Sequence, residues 1–171
     1  MHVRPAVRRD RRRIEALLAP HVEAGAVLPR AVRAADFLVA EEAGALHGAV
    51  ALTPWTAEVA ELGSLVAEAP GRGVGRALVD ATLALAGQRG HRAVVALTGL
   101  PGFFERLGFA ASPQAPWGIA RGLDRVRLLD QGLDQALDHK AERCATCPRL
   151  PACAQTLLVR ELAHKKRRAC A

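Results

Sequence analysis

The sequence predicts an α/β chain of the α+β kind: a mixed, mostly antiparallel central sheet flanked by helices, with a C-terminal appendage that is helical and carries cysteines. Three stretches predict it. Residues 36–67 read as consecutive apolar strands with short turns between them. Residues 69–85, "APGRGVGRALVDATLAL", run from a glycine-rich loop straight into an amphipathic helix. "AVVAL" at 93–97 is a short unbroken apolar run of the kind shown by a strand covered on both faces. With 171 residues the chain is long enough for one well-buried domain. The change of character after Ala111 divides it into a core, 1–111, and an extension, 112–171.

In chain order, residues 2–7 read as a short strand, and Asp10 stands where it could cap a helix with Ile14, Leu17 and Leu18 on one face. Pro20 and Gly25 are expected to interrupt that helix. "DFLVAEEAGALHGAVALTP" (36–54) predicts two strands joined by a turn at Gly44, and "EVAELGSLVA" (58–67) a third. After the glycine loop, Val74, Leu78, Ala81 and Leu85 recur at helical spacing, and Gly90 closes the helix. "LPGFFERLGF" (100–109) predicts a brief helix and another strand. Beyond it, a proline-rich connector, "ASPQAPWG", leads to a helical segment at 119–138, a cysteine-bearing loop and a final basic helix.

Composition narrows the function classes. Half of the residues are apolar and 24% charged, which are globular proportions, and the longest apolar runs are far too short to span a bilayer. The basic start of the chain lacks the apolar stretch and cleavage site that secretion needs, so a cytoplasmic protein without membrane partners is expected. A net charge of +7 favours polyanionic partners. The basic clusters "RRDRRR" (8–13) and "HKKRR" (164–168) have no interleaved aromatics for base stacking, which points away from nucleic acid and towards solvated surface.

Gly71, Gly73 and Gly75 would let the backbone come close to a bulky anion, and the helix that follows aims its free N–H groups at the same place. A phosphorylated ligand is the expected guest; a glycine turn packed against the sheet is the plainer alternative. This order of strand meander, glycine loop, helix, strand, short helix and strand, with "GRGVGRAL" in the loop, resembles the GNAT superfamily of N-acetyltransferases over about residues 2–111. Within that superfamily, "GAVLPR" (25–30), "ALTPWTAEVAELGSL" (51–65), "ALTGLPGFFERLGF" (96–109) and "HKAERCATCPRLPAC" (139–153) together are similar to the short single-domain bacterial N-acetylglutamate synthases.

The resemblance implies the GNAT fold, acetyl-CoA as cosubstrate, and acetyl transfer to the α-amine of L-glutamate in arginine biosynthesis. Carried onto this chain, the phosphate loop is Gly71, Arg72, Gly73, Val74, Gly75 and Arg76. The pantetheine would lie along a splayed strand, Ser64 to Ala67, with Leu65, Val66, Ala67 and Phe104 as further cofactor contacts. Pro70 stands where the family usually has Arg or Gln, and Gly63 where it often has Arg. Glu58 and Glu61 are the candidate bases, the amides near Leu65 and Val66 would polarise the thioester carbonyl, and Arg30 would grip a substrate carboxylate. A solvated strand face is the plain reading of both glutamates, and a surface arginine that of Arg30. The chain has no Tyr, so Ser64, Thr98 or water must serve the leaving thiolate, unless it leaves unprotonated.

His139, Cys144, Cys147 and Cys153 could close a tetrahedral structural zinc site; free thiols in a packed loop are the alternative, and Cys170 stands apart. Two other functions stay open: an acetyltransferase for another amino acid, a xenobiotic amine or a protein lysine, and a non-catalytic acetyl-CoA or nucleic-acid binding module. The sequence leaves a homodimer open as well.

Overall fold

The structure, a computed structural model, describes residues 1–68, 71–111 and 155–163. Its strands are β1 (His2–Pro5), β2 (Phe37–Glu42), β3 (Ala45–Pro54), β4 (Val59–Ala67), β5 (Ala93–Thr98), β6 (Ala110–Ala111) and β7 (Thr156–Glu161). The helices are α1 (Arg11–Glu23), α2 (Val74–Gln88) and α3 (Pro101–Glu105). One sheet takes the strands in the order β1-β2-β3-β4-β5-β7-β6, and only β4 and β5 run parallel. The mixed, mostly antiparallel sheet expected from the sequence is present.

Strand alternation decides which face each residue serves. One face carries Leu38, Ala40, Val50, Leu52, Ala60, Leu62, Val94 and Ala96, which form a continuous core with Leu78, Val79 and Ala86 of α2. Phe104 and Phe109 close this core edge to face, with ring centroids 5.3 Å apart. The opposite face is divided. Phe37, Val39, Ala49, Ala51 and Val66 pack under Ile14 and Leu18 of α1. Val59, Ala93, Val95 and Leu157 form a separate cluster beneath Trp55.

The β2–β3 turn is where expected, with Ala43 and Gly44 both at positive φ (48° and 79°), the conformation that a two-residue hairpin loop needs. Other expectations need correction. β1 ends at Pro5, not at residue 7. α1 continues through Pro20 to Glu23, because Pro20 lies in its last turn, where the one lost hydrogen bond leaves an exposed carbonyl to water. Asp10 precedes α1 without capping it: its side chain accepts from no backbone N–H of the helix. Its carboxylate accepts instead from the Val7 N–H at 2.8 Å and from Arg4 at 2.7 and 3.1 Å.

"TLLVRE" (156–161), read as part of the segment leading into a basic helix, is strand β7 and inserts between β5 and β6. A short apolar run does not distinguish a buried strand from a buried helix by periodicity. Here Leu157 and Leu158 are covered from opposite faces, which only a strand allows. The segment 119–138, the basic cluster at 164–168 and Cys170 lie outside the described residues, as do His139, Cys144, Cys147 and Cys153. Among the described residues no helix is long and apolar enough to cross a membrane, and no group of His, Cys, Asp or Glu is placed to hold a metal ion.

Candidate active site

The site begins where two strands part. β4 and β5 pair only from Val59↔Ala93 to Glu61↔Val95, although β4 runs on to Ala67 and β5 to Thr98. The cause of the parting lies in β4. From Ala51↔Gly63 to Ala49↔Val66, β3 advances two residues and β4 three, which marks a bulge. Ser64 sits in it at φ 50°, a left-handed conformation that costs a non-glycine residue about 1–2 kcal/mol. A bulge bends its strand, and β4 bends away from β5.

Beyond the bulge the peptide edges alternate. A Cβ added at Gly48 of β3 would lie 2.8 Å from the Val66 carbonyl oxygen, and the Glu68 N–H donates to His47 at 2.8 Å, so Val66 and Glu68 face β3. The amide of Ala67 therefore turns towards the open side. Of the two amides expected to polarise a carbonyl, that of Val66 faces β3, and Leu65 lies within the bulge itself.

The opening leads to the glycine loop. Gly71 and Gly73 have φ of 85° and 76°, and a Cβ at either would meet nothing within 4 Å. The first helical bond of α2 runs from the Ala77 N–H to the Gly73 carbonyl, so the amides of Val74, Gly75 and Arg76 lie ahead of the ladder, the arrangement that binds phosphate. Gly75 serves packing: a Cβ there would be 3.4 Å from Phe103. Phe103 thus lies beside the loop, whereas Phe104, the expected cofactor contact, is buried in the core.

The loop's two arginines are exposed. Arg72 reaches Glu42 at 2.8 Å and Arg76 approaches Asp80 at 3.7 Å. The chain's amino terminus and then Arg72 hold the Glu42 carboxyl below its ordinary range. Exposed pairs of this kind are weak, so both guanidinium groups can turn to a polyanion at small cost.

On the face opposite α2, the two apolar clusters are separated by a polar strip. Thr53 of β3 stands directly across from Glu61 of β4. The Arg30 Nη2 donates to Thr53 Oγ1 at 3.1 Å, lies 3.7 Å from Asp36, and its guanidinium covers the Phe37 ring with 5.4 Å to the centroid. The Trp55 indole N–H donates to Glu61 Oε2 at 3.1 Å. Glu61 Oε1 lies 3.6 Å from the place a Gly63 Cβ would take, so the carboxylate leans along β4 towards the bulge.

Two of the expected residues, Arg30 and Glu61, thus meet at one row of the sheet beside the parting strands. Glu58 is elsewhere: it precedes β4 at the closed end and pairs with Arg92 at 3.2 Å. Thr53, Trp55 and Asp36 are the members that sequence reasoning missed. Only the alternation placing Thr53 opposite Glu61 in the hairpin could have signalled the first of them.

Comparison with known proteins agrees with this geometry. The chain is 28% identical over 134 residues to an uncharacterized N-acetyltransferase of Chlorobaculum tepidum, covering 74% of this chain and 71% of that protein. The fold is similar to that of Rv2747 from Mycobacterium tuberculosis, solved in complex with CoA and NLQ, with a TM-score of 0.71 at 24% identity, over 95% of this chain and 100% of that one. It is equally similar to N-acetylglutamate synthase from Neisseria gonorrhoeae complexed with coenzyme A and N-acetyl-glutamate, with a TM-score of 0.71 at 22% identity over 95% of this chain. This chain spans 35% of the Neisseria enzyme. At such identities the structural likeness is one of fold. The sequence profile of the acetyltransferase (GNAT) family matches residues 7–109, more than half of the chain. The chain belongs to the acetyltransferase (GNAT) family and is an N-acetyltransferase that takes its acetyl group from acetyl-CoA.

Proposed function

We propose that the acceptor is the α-amine of an amino acid, with L-glutamate the leading candidate and arginine biosynthesis the setting, in the cytoplasm. The observation that carries this reading is the meeting of Arg30 and Glu61 on the Thr53–Glu61 row, next to the bulge where β4 leaves β5. An amino acid presents a carboxylate and an ammonium group a few ångströms apart. Arg30 would take the carboxylate in two parallel hydrogen bonds, displacing its contact with Asp36. Glu61 would accept the proton of the ammonium, directly or through one water, so that the amine can attack.

The amine nitrogen then attacks the thioester carbonyl, whose developing negative charge is met by the Leu65 amide. As the C–S bond breaks, the attacking nitrogen gives up its proton and the thiolate gains one, relayed through the Ser64 hydroxyl or a water that ends the step neutral. The glycine loop holds the pyrophosphate throughout, with Val74, Gly75 and Arg76 offering their amides. The neighbour solved with coenzyme A and N-acetyl-glutamate supports an acyl-amino-acid product of this class.

A panel of amino acids, polyamines and lysine peptides, followed by CoA release from acetyl-CoA, tests the reading. L-Glutamate should be turned over far faster than amines lacking an α-carboxylate. Preference for a polyamine or a lysine peptide would overturn the amino-acid assignment. Gly73→Glu tests the loop separately: bulk and negative charge in the phosphate cradle should lower acetyl-CoA affinity by about 100-fold or more in calorimetric titration. Unchanged affinity would remove the cradle.

A further inference from the structure

Trp55 is a large aromatic residue packed on the rim of a core cluster, with its polar edge turned to the row of Thr53 and Glu61. It follows Pro54 at the end of β3, and the turn that carries it is fixed from both sides. The N–H groups of Trp55 and Thr56 both donate to the Val59 carbonyl, at 2.9 and 3.0 Å. The Thr56 hydroxyl accepts from the N–H groups of Glu58 and Val59, at 3.2 and 3.0 Å. The indole then packs over Val59, Ala93, Val95 and Leu157. A turn held by four hydrogen bonds and a ring lying on a packed cluster leave the indole N–H little freedom of direction. It donates to Glu61 Oε2.

The consequence appears on the other oxygen. With Oε2 tied back to Trp55, Oε1 is directed over Gly63, towards the bulge at Ser64. Glu61 has three side-chain torsions, and the indole bond restrains the last of them. Gly63 lies directly alongside, where a Cβ would stand in ordinary contact with Oε1.

The geometry points to Trp55 as a positioning residue for the reaction, one that holds Glu61 by its indole N–H so that Oε1 faces the acceptor amine beside the bulge. This rests on Glu61 being the base. Trp55 touches no reacting atom in this arrangement; its contribution is the orientation of one that does.

Trp55→Phe keeps an aromatic ring on the Val59–Leu157 cluster and removes only the donor. With the best acceptor of the panel, kcat should fall about 10-fold while acetyl-CoA affinity and the acceptor KM stay within about 3-fold. In a Glu61→Gln background the same change should cost nothing further, because the orientation of a carboxylate no longer matters. Glu61→Asp, which leaves the Trp55 ring in place but draws the carboxylate out of its reach, should lose rate similarly and be equally insensitive to Trp55→Phe. A wild-type kcat in Trp55→Phe, or losses that add in the double variants, would overturn the role of Trp55 and leave the base standing. An unchanged kcat in Glu61→Gln would overturn the base, and this proposal with it.

Discussion

Two arginine–carboxylate clusters lie on the same face of the sheet, and they differ in geometry and in where they stand relative to the opening between β4 and β5. In the first, near the amino terminus, Arg4 binds Asp10 through Nη1 and Nη2 at 2.7 and 3.1 Å and Glu41 through Nε at 2.6 Å. The Asp10 side chain is fully buried, and Arg13 approaches both carboxylates, at 3.5 and 3.6 Å. In the second, Arg30 donates to Thr53 at 3.1 Å, approaches Asp36 at 3.7 Å and covers the Phe37 ring. The first cluster joins β1, α1 and β2 and presents nothing to a substrate. The second lies beside an opening between strands, and its Asp36 contact, at 3.7 Å, is longer than those of the first. The same residue types form a tight chelate in one place and, in the function proposed above, a substrate grip in the other.

The largest effect expected from this contrast is on stability. Asp10→Ala removes the carboxylate that binds both Arg4 Nη atoms and leaves only that of Glu41, on Nε, which should cost about 2–3 kcal/mol in chemical denaturation. The cluster also predicts acid sensitivity. Asp10 is pushed down to about 2, chiefly by its hydrogen bonds from Arg4, with the Val7 N–H and the charges of Arg4 and Arg13 adding to them against the opposing effect of burial. Its folded-state value lies below that of the unfolded chain, so its contribution is fully present above about pH 4 and is lost as the pH falls towards 2. Denaturation curves measured between pH 6 and pH 2.5 should show this loss in the wild type and a flatter dependence in Asp10→Asn.

The second cluster should respond in the opposite currency. Glu61→Gln is expected to lower kcat by about 100-fold or more while the melting temperature stays close to that of the wild type. Arg30→Lys keeps the charge but loses the planar fork, so the acceptor KM should rise about 10-fold, some 1.4 kcal/mol, with acetyl-CoA affinity unchanged. A substantial stability loss in either variant, with kinetics intact, would place this cluster with the first and remove the distinction.

How far the contrast could be read in advance follows from the range of the interactions involved. The turn at Gly44 and the glycine loop with its helix depend on local pattern, and both were legible. The resemblance to acetyltransferases implied a splayed strand at Ser64–Ala67, and the parting of β4 from β5 after Glu61 agrees with it. The cause was not legible, because a serine forced to φ 50° by an extra residue carries no compositional mark. Asp10 had the sequence context of a helix cap, and only the arrival of Arg4 from β1 made it the centre of a buried cluster. β7 was hidden for a related reason: its partner β5 lies some sixty residues earlier, and "TLLVRE" alone fits either periodicity. Arg30 and Glu61 were named singly; their meeting depends on the β3–β4 register and on Thr53 between them.

The smallest expected effect separates the two glutamates that the sequence could not rank. Glu58 and Glu61 are three residues apart, and both could have been the base. Glu58, however, precedes the closed end of β4, where β4 and β5 are paired, and its carboxylate faces Arg92 at 3.2 and 3.4 Å. Both members of that pair are about one third exposed, so solvent screens it and its contribution to stability should be within about 1 kcal/mol. Its backbone matters more than its side chain, since the Glu58 carbonyl accepts the N–H groups of Arg92 and Ala93, at 2.7 and 3.1 Å, and so sets where the parallel pairing begins. Substitution leaves that carbonyl in place. Glu58→Gln should therefore keep kcat and both KM values within about 3-fold of the wild type and shift the melting temperature only slightly. A loss of rate matching that of Glu61→Gln would move the base to the closed end of the strand, and would detach the chemistry from the bulge at Ser64.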